Sequence, residues 1–179
     1  MALLLRFSGF VDGVSRRLGA VCDYLILIVC FISAGNAMMR YAISYSSNSY
    51  LEIQWYLFGA VVLLGAACTL LKNEHVRVDV VYSLLSDRNK LIVDTCGIII
   101  FLLPVTSYLI YLSWPFFLKS FVNGEVSNNA GGLTLWPAKL LLPAGFFFLW
   151  LQALSELIKR IAALRGVIQL ETKYEKPIQ

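Results

Sequence analysis

The residues of this 179-residue sequence that could do chemistry are few: one histidine, four cysteines and eleven acidic side chains. His75 stands in a run of charges beside Glu74 and Asp79. A lone loop histidine is a poor metal site, so a surface or subunit contact fits it better, and haem ligation by two histidines of one chain is excluded. The cysteines, at positions 22, 30, 68 and 96, show no CxxC spacing, which favours inert buried thiols over a redox pair.

Catalytic motifs are not evident elsewhere in the sequence. No Ser–His–Asp arrangement, phosphate-binding loop or carboxylate pair stands out. Nor does an acidic residue fall in the middle of an apolar segment, where a proton-coupled exporter would place one. We therefore predict no catalytic, cofactor-binding or metal-binding residues, and we predict that the chain is not an enzyme.

The composition indicates a membrane protein. The sequence is 59% hydrophobic and 15% charged, with a mean hydropathy of +0.72, and one soluble core of this size could not bury so much apolar surface. The net charge of +4 would suit nucleic acid only if the basic residues gathered on one soluble face. They lie instead between hydrophobic segments, so we expect membrane lipids, and no nucleic acid, as partners.

Four long apolar segments predict an all-α membrane protein with four transmembrane helices. In the clearest one, residues 55–71 hold no charge, and a helix over 53–71, at about 1.5 Å per residue, nearly crosses a hydrocarbon core of about 30 Å. The predicted spans are residues 20–40, 53–72, 91–113 and 136–157, within a membrane domain of residues 20–158. Pro104 falls inside the third span, where we expect it to kink the helix.

The segments that flank the spans are amphipathic or polar. Residues 1–19 carry apolar side chains at helical spacing with charges between them, which predicts a helix lying in the membrane interface. A cleaved signal peptide fits this segment less well, because no clear small-residue cleavage site follows an apolar core. Residues 76–85 predict a short amphipathic helix on the membrane surface between the second and third spans, and residues 159–179 predict a basic, polar, cytoplasmic tail.

The distribution of basic residues predicts the orientation. If both termini are cytoplasmic, twelve of the fifteen lysines and arginines lie on the cytoplasmic side. Only Arg40, Lys119 and Lys139 then lie outside. This bias agrees with the positive-inside rule, so we predict a multi-pass protein with both termini, and the connection after the second span, in the cytoplasm.

Glu52 stands at the outer end of the second predicted span, and two interpretations of it are open. It is either a headgroup-level acid, paired with Arg40 across the short loop, or an anchoring contact to a neighbouring subunit. Trp55 suits the aromatic belt of a membrane interface. We predict contacts to a partner subunit for polar and aromatic residues near the two ends of this span: Glu52, Trp55, His75, Arg77 and Asp79.

Several stretches in a fixed order carry a resemblance to a known family. They are WYLFGAVVLLGAACTL from Trp55, NEHVRVDVVY from Asn73, GIIIFLLP from Gly97, EVSNNAGGL and LWPAK within 125–139, and LQALSELIK ending at Lys159. From about Glu52 to Lys159 the chain resembles the small membrane subunit, often called DctQ-like, of TRAP (tripartite ATP-independent periplasmic) transporters. The first span agrees in position more than in letters, and the loop has EVS where a Glu-Ser pair is expected.

The resemblance implies a bacterial inner-membrane system of three parts. A periplasmic binding protein captures an organic acid and delivers it to a large sodium-coupled permease, which holds the substrate and sodium sites. The small four-helix subunit packs against the scaffold of that permease and can help to dock the binding protein. The partners that the resemblance implies are therefore the large permease and the binding protein, and this chain has an accessory role.

The connection from Lys119 to Trp136 is the longest polar segment between spans. The pairs Asn128-Asn129 and Gly131-Gly132 are turn signals, and the segment is too long for a simple turn. We predict that Glu125, Asn128 and Asn129 help to dock the binding protein, and the alternative is a structural cap on the bundle.

Two other classes of function fit the sequence less well. A self-sufficient homo-oligomeric small transporter or channel would need an intramembrane acid or a polar stripe lining a pore, and neither is evident. A membrane enzyme or electron carrier is disfavoured by the single histidine and the scattered cysteines.

Overall fold

The computed structural model describes residues 1–45, 47–74 and 85–168. Its four long helices are α1 (Ala2–Ile43), α2 (Asn48–Lys72), α3 (Asp87–Val122) and α4 (Trp136–Leu164). Each of them is long and apolar enough to cross a membrane. The prediction of an all-α membrane protein with four transmembrane helices is therefore confirmed.

The helix ends follow local sequence rules. After α1, Ser44 adopts a left-handed conformation at φ 52°, and the amide of the next residue, Tyr45, donates to the carbonyl oxygen of Met39. After α2, Asn73 does the same at φ 60°, and asparagine tolerates this region better than most residues. The Ser86 hydroxyl caps the start of α3 by accepting from the amide of Asn89. Pro137 lies in the first turn of α4, where no intrahelical donor is lost.

The first helix is longer than the predicted first span. Residues 2–43 form one helix without a break at residues 19–20, because no proline or left-handed turn interrupts them. The predicted helix over residues 1–19 is thus the beginning of α1, and its placement in the membrane interface stays a prediction. The predicted amphipathic segment between the second and third spans lies almost entirely outside the described residues.

Helix α3 changes from α-helical to π-helical geometry just before Pro104. A π-helical turn, Ile98–Leu102, joins Asp87–Gly97 to Leu103–Val122. Proline has no amide hydrogen and its ring crowds the preceding turn, so a wider turn at this point relieves the contact. The helix also continues past the predicted span end at residue 113, with Pro115 inside it.

Helix α4 is the centre of the bundle, since it contacts each of the other three helices. Leu70 of α2, Ile98 of α3 and Ala153 of α4 form a buried cluster, and leucines of α3 and α4 pack around it. Gly145 lets α2 and α4 approach, because a Cβ atom there would lie 2.6 Å from the Cβ of Leu63. Small residues at helix contacts are typical of membrane bundles.

Large apolar side chains cover the outside of the bundle. On the second half of α1, Phe31 is 76% exposed and Tyr41 is 85% exposed, and on α3 Tyr111 is 73% exposed. In an apolar stretch of 18 residues in α1, only 6% of the residues are buried within the chain. A surface of this kind needs lipid or another membrane protein to cover it.

Candidate functional site

Polar side chains gather at two places, which lie at opposite ends of the bundle. One, the loop-end site, consists of Glu52, Lys139 and residues 125–135. The other, the terminal-end network, joins α1, α3 and α4 through Ser8, Asp12, Ser15, Asp94, Gln152, Ser155, Glu156, Lys159 and Arg160.

The connection between α3 and α4 folds as a small hairpin. Ser127 donates its amide to the Leu133 carbonyl over 2.9 Å, and Leu135 donates to the Glu125 carbonyl over 2.9 Å. The turn is made by glycines: Gly131 has φ 71°, and a Cβ atom on Gly132 would lie 2.7 Å from that of Ser127. Only glycine fits this turn without displacing its neighbours.

Glu52 is the residue on which the hairpin is fixed. Although it is charged, only 5% of it is exposed. Its carboxylate accepts hydrogen bonds from the Ser127 hydroxyl, from the Asn129 amide nitrogen at 2.8 Å and from the Leu133 backbone amide at 2.7 Å. A buried carboxylate is stable when several donors satisfy it in this way. Glu52 is therefore an internal anchor that ties the start of α2 to the hairpin.

Two further side chains at the start of α2 hold the same turn. The Ser49 hydroxyl donates to the carbonyl of Gly131, and the Asn48 side-chain amide donates to the carbonyl of Ala130 over 3.3 Å. The start of α2 therefore binds two backbone carbonyls of the hairpin through Asn48 and Ser49, and one backbone amide of the hairpin through Glu52.

Glu125 and Lys139 form an ion pair at the base of the hairpin. The Glu125 side chain is 42% exposed, whereas that of Lys139 is 15% exposed and lies 4.3 Å from the centre of the Phe116 ring. The hydrogen bond from Lys139 holds the pKa of the Glu125 carboxyl below its ordinary value. The pair joins the hairpin to the first turn of α4.

The structure places the sequence-predicted site residues in different surroundings. Glu52 and Asn129 bind each other, Glu125 binds Lys139, and Asn128 is exposed at the hairpin tip. Trp55 is 75% exposed on the outside of α2. Within the described residues, the hydrogen bonds to the Glu52 carboxylate come from the hairpin and none comes from Arg40. The predicted partner contacts His75, Arg77 and Asp79 lie outside the described residues.

The terminal-end network begins as a line of small polar side chains between α1 and α4. The hydroxyls of Ser8 and Ser155 lie 2.7 Å apart, and the Ser15 hydroxyl donates to the Gln152 side-chain oxygen over 2.7 Å. Between them, the Asp12 carboxylate accepts from Gln152 at 2.9 Å and from Ser155 at 2.7 Å. This side of α1 is thus the polar one, and it is buried against α4.

Charged side chains extend the network to α3. Lys159 lies between two carboxylates, 3.0 Å from Asp12 and 2.5 Å from Glu156. Arg160 binds Glu156 at 2.5 Å and Asp94 of α3 at 3.5 Å. All five side chains are less than a fifth exposed. Helices α1, α3 and α4 are therefore joined by largely buried side chains of alternating positive and negative charge.

Sequence reasoning did not find this network, although its pattern is visible in the chain. Ser8, Asp12 and Ser15 recur every three or four residues, which places them on one side of a helix. Gln152, Ser155, Glu156 and Lys159 do the same on α4. Two polar helix faces within apolar surroundings predict that the faces meet, because each satisfies the hydrogen-bonding groups of the other.

The polar side chains of the two sites serve to hold the chain together. Within the described residues, no three His, Cys, Asp or Glu side chains are grouped so that they could hold a metal ion. Most polar side chains of the two sites bind one another, and these contacts connect helices and fix a hairpin.

These features define a class: an all-α membrane protein of four helices, in which polar side chains at the two ends of the bundle join the helices to one another. The comparison with family models makes the identification specific. Residues 26–163 match the family of tripartite ATP-independent periplasmic transporters, DctQ component, and the chain belongs to that family. It is therefore a membrane component of a TRAP transporter, a system that also has a large permease and a binding protein. No curated protein and no solved structure matches the chain.

Proposed function

We propose that this chain is the small permease subunit of a sodium-coupled TRAP transporter that imports an organic acid, and that it acts as a scaffold partner of the large permease. The observation that carries the proposal is the contrast between the polar side chains inside the chain and the apolar side chains on its outer surface. Polar side chains at both ends are used within the chain, whereas large apolar side chains face outward. A subunit of this kind offers an apolar surface to a partner.

The second half of α1 is the best-suited contact with the permease. It lies along the bundle with little cover from the other helices, and Phe31 and Met38, for example, are 76% and 72% exposed. Ser33 and Ala37, both exposed, are one turn apart and would allow another helix to approach closely. The partner contacts predicted from the sequence at Trp55, His75, Arg77 and Asp79 are further candidates.

Purification from native membranes tests the scaffold role. An affinity tag on this chain is expected to recover one large permease, and a pair of bulky substitutions, Ser33→Leu with Ala37→Leu, should reduce that recovery. Gly35→Leu is the control on the same segment, because a Cβ atom there would have no atom of another part of the chain within 4 Å. A stable homo-oligomer that transports substrate alone in liposomes would support the alternative, a self-sufficient small transporter.

We also propose that the hairpin helps to dock the binding protein. Glu125 and Asn128 are accessible at its surface, and Glu52 holds its backbone in a fixed shape. Glu125→Lys is expected to slow association with the binding protein and to raise its half-saturating concentration in sodium-driven uptake, with an effect that salt weakens. Lys139→Met is the control, because it breaks the same ion pair but keeps the negative charge of Glu125. An effect of Glu125→Lys that Lys139→Met does not share is therefore due to the charge at position 125 and not to loss of the pair. Unchanged uptake with Glu125→Lys would rule out a role of Glu125 in docking.

The proposed location is a bacterial inner membrane with both termini in the cytoplasm. The twelve-to-three distribution of basic residues supports it, and Ser47 and the hairpin lie at the same end of the bundle. Single cysteines at positions 47 and 128 should be labelled from outside intact cells by an impermeant reagent. A cysteine at position 86 should not be labelled, and labelling there would contradict the orientation.

A further inference from the structure

The first part of α1 has its polar side turned inward and an apolar side turned outward. We call residues 2–18 the N-terminal arm. Ser8 and Ser15 are 2% exposed against α4, whereas Leu3 is 80% exposed and Phe10 is 70% exposed. Leu3, Phe7, Phe10 and Val14 recur every three or four residues and form one stripe along the arm. Packing within the chain leaves most of this stripe uncovered, Leu3 and Phe10 above all.

The arm projects well past the end of α2. Gly19 lies against Cys68, since a Cβ atom on Gly19 would be 2.4 Å from the Cys68 sulfur. From this contact α2 continues for four residues to Lys72, whereas α1 continues for seventeen residues to Ala2. At about 1.5 Å per residue these lengths are about 6 Å and about 25 Å, so about 20 Å of the arm lies beyond α2. Along this length α4 supports its polar side.

The length of α1 limits how the arm can lie. A helix of 42 residues is about 63 Å long, which exceeds both the hydrocarbon core of about 30 Å and the whole bilayer of about 40–45 Å. If α1 stood upright, the stripe would project into water. A tilt of about 45° would bring all of α1 within the bilayer and its headgroup regions, with the arm in the headgroup region.

The charge of the arm favours lipid headgroups as its surroundings. Its one acid, Asp12, is paired with Lys159, so the exposed charges of the arm are Arg6, Arg16 and Arg17. None of the ion pairs among the described residues involves these arginines. Arg6 and Arg17 lie on the same side of the helix as Phe10, four residues before it and seven after it. An apolar stripe edged by arginines is typical of helices that bind anionic membrane surfaces.

A groove beside the stripe suits an acyl chain. It has a volume of about 220 Å³ and lies between α1 and α4, with Phe10, Val11, Val14, Ser15, Phe148 and Leu151 as its lining. With α1 tilted by about 45°, this position in the arm lies where the acyl chains of a lipid meet the headgroup region.

We propose that the N-terminal arm binds anionic phospholipid in the leaflet nearest the chain termini, with the stripe and groove on the acyl chains and Arg6 and Arg17 on the phosphates. This contact does not depend on which substrate the transporter carries. It gives α1 a strong tilt and fixes the height of the terminal-end network at the membrane surface.

Spin labels on the full chain, reconstituted in liposomes together with its large permease, test the contact. In a variant whose four native cysteines are replaced by alanine, one label is placed by Phe10→Cys on the stripe. The control is Gly9→Cys, which is exposed on another side of the arm and has no atom within 4 Å of a Cβ at that position. We expect the label at position 10 to collide several-fold more with oxygen than with a water-soluble nickel complex, and the label at position 9 to show the reverse.

Lipid composition tests the anionic part of the proposal. Adding phosphatidylglycerol to phosphatidylcholine liposomes should increase the burial of the label at position 10, and Arg6→Gln with Arg17→Gln should remove that increase. Arg40→Gln, at the other end of α1, is the control and should leave the increase unchanged. Equal access of the nickel complex to positions 9 and 10 would place the stripe in water and overturn the proposal. Access of neither reagent to position 10 would show a protein cover and overturn it as well, and a label that is insensitive to phosphatidylglycerol would refute the role of the arginines.

Discussion

The two ends of the bundle bury polar groups by different means. At the loop end one carboxylate, Glu52, accepts hydrogen bonds from neutral donors of a single hairpin. At the terminal end three carboxylates and two cations alternate across three helices. The first arrangement fixes the shape of one connection, and the second determines how helices assemble. Loss of a group should therefore have local consequences at the loop end and global ones at the terminal end.

The largest effect is expected from Glu156→Ala, which removes the carboxylate shared by Lys159 and Arg160. Arg160 would be left with only its longer contact to Asp94 in surroundings that exclude most water. Breaking a buried pair from one side costs about 3 kcal/mol or more of the free energy of unfolding. Unfolding in detergent micelles, followed by circular dichroism, measures this loss.

Asp87→Ala is the matched control for that variant. Asp87 also pairs with a lysine, Lys90, but its side chain is 75% exposed. An exposed pair contributes less than about 1 kcal/mol, so the two variants should differ clearly. Similar losses for both would mean that the terminal-end network does not hold the helices together.

A smaller and more local effect is expected from Glu52→Ala. Hydrogen bonds to a charged group contribute about 1.5–3 kcal/mol, but the hairpin donors freed by this change can turn to water. The backbone amide of Leu133, which donates to Glu52 over 2.7 Å, should then exchange its hydrogen faster. Glu52→Gln keeps one acceptor oxygen, so its exchange rate at Leu133 should fall between those of the natural chain and of Glu52→Ala. If exchange at Leu133 is unchanged in Glu52→Ala, Glu52 is not the anchor of the hairpin.

Gly145→Ala tests the contact of α2 and α4 that lies between the two ends. The added Cβ would lie 2.6 Å from the Leu63 Cβ and 2.8 Å from its carbonyl oxygen, so the helices must separate. Overpacking of this kind costs about 1–3 kcal/mol in the free energy of unfolding. Gly59→Ala on α2 is the control, since it meets no atom within 4 Å and should cause no loss. Equal stability of both variants would argue against this close approach.

The smallest effect is expected from Glu125→Gln, and it depends on pH. In the folded chain the hydrogen bond from Lys139 lowers the pKa of Glu125 below its ordinary value of 4.5. The stabilisation is therefore present above pH 4.5 and is lost as the pH falls through the lowered pKa. The difference in unfolding midpoint between the natural chain and the variant should shrink over this range. A difference that persists at lower pH would mean that the charge of Glu125 is not involved.

The sequence allowed the fold to be predicted where hydrophobicity decides it. The four apolar segments correspond to four helices, because each must satisfy its own backbone in lipid. The role of Glu52 could not be derived, since an acid at a span end looks the same whether lipid, a partner or its own hairpin surrounds it. The partners of Asp12 were missed for a related reason: its contact with Lys159 joins residues 147 positions apart. A pattern along one helix shows a polar face but not which other face it meets.

Uptake in proteoliposomes is the most direct test of the central claim, that this chain works only as the small subunit beside a large permease. Three preparations are compared in the presence of the binding protein and a sodium gradient: this chain alone, the large permease alone and the two together. We expect uptake only from the two together, and none from this chain alone at any concentration of binding protein. Uptake by this chain alone would contradict the claim, and full uptake by the permease alone would show that this subunit is not required.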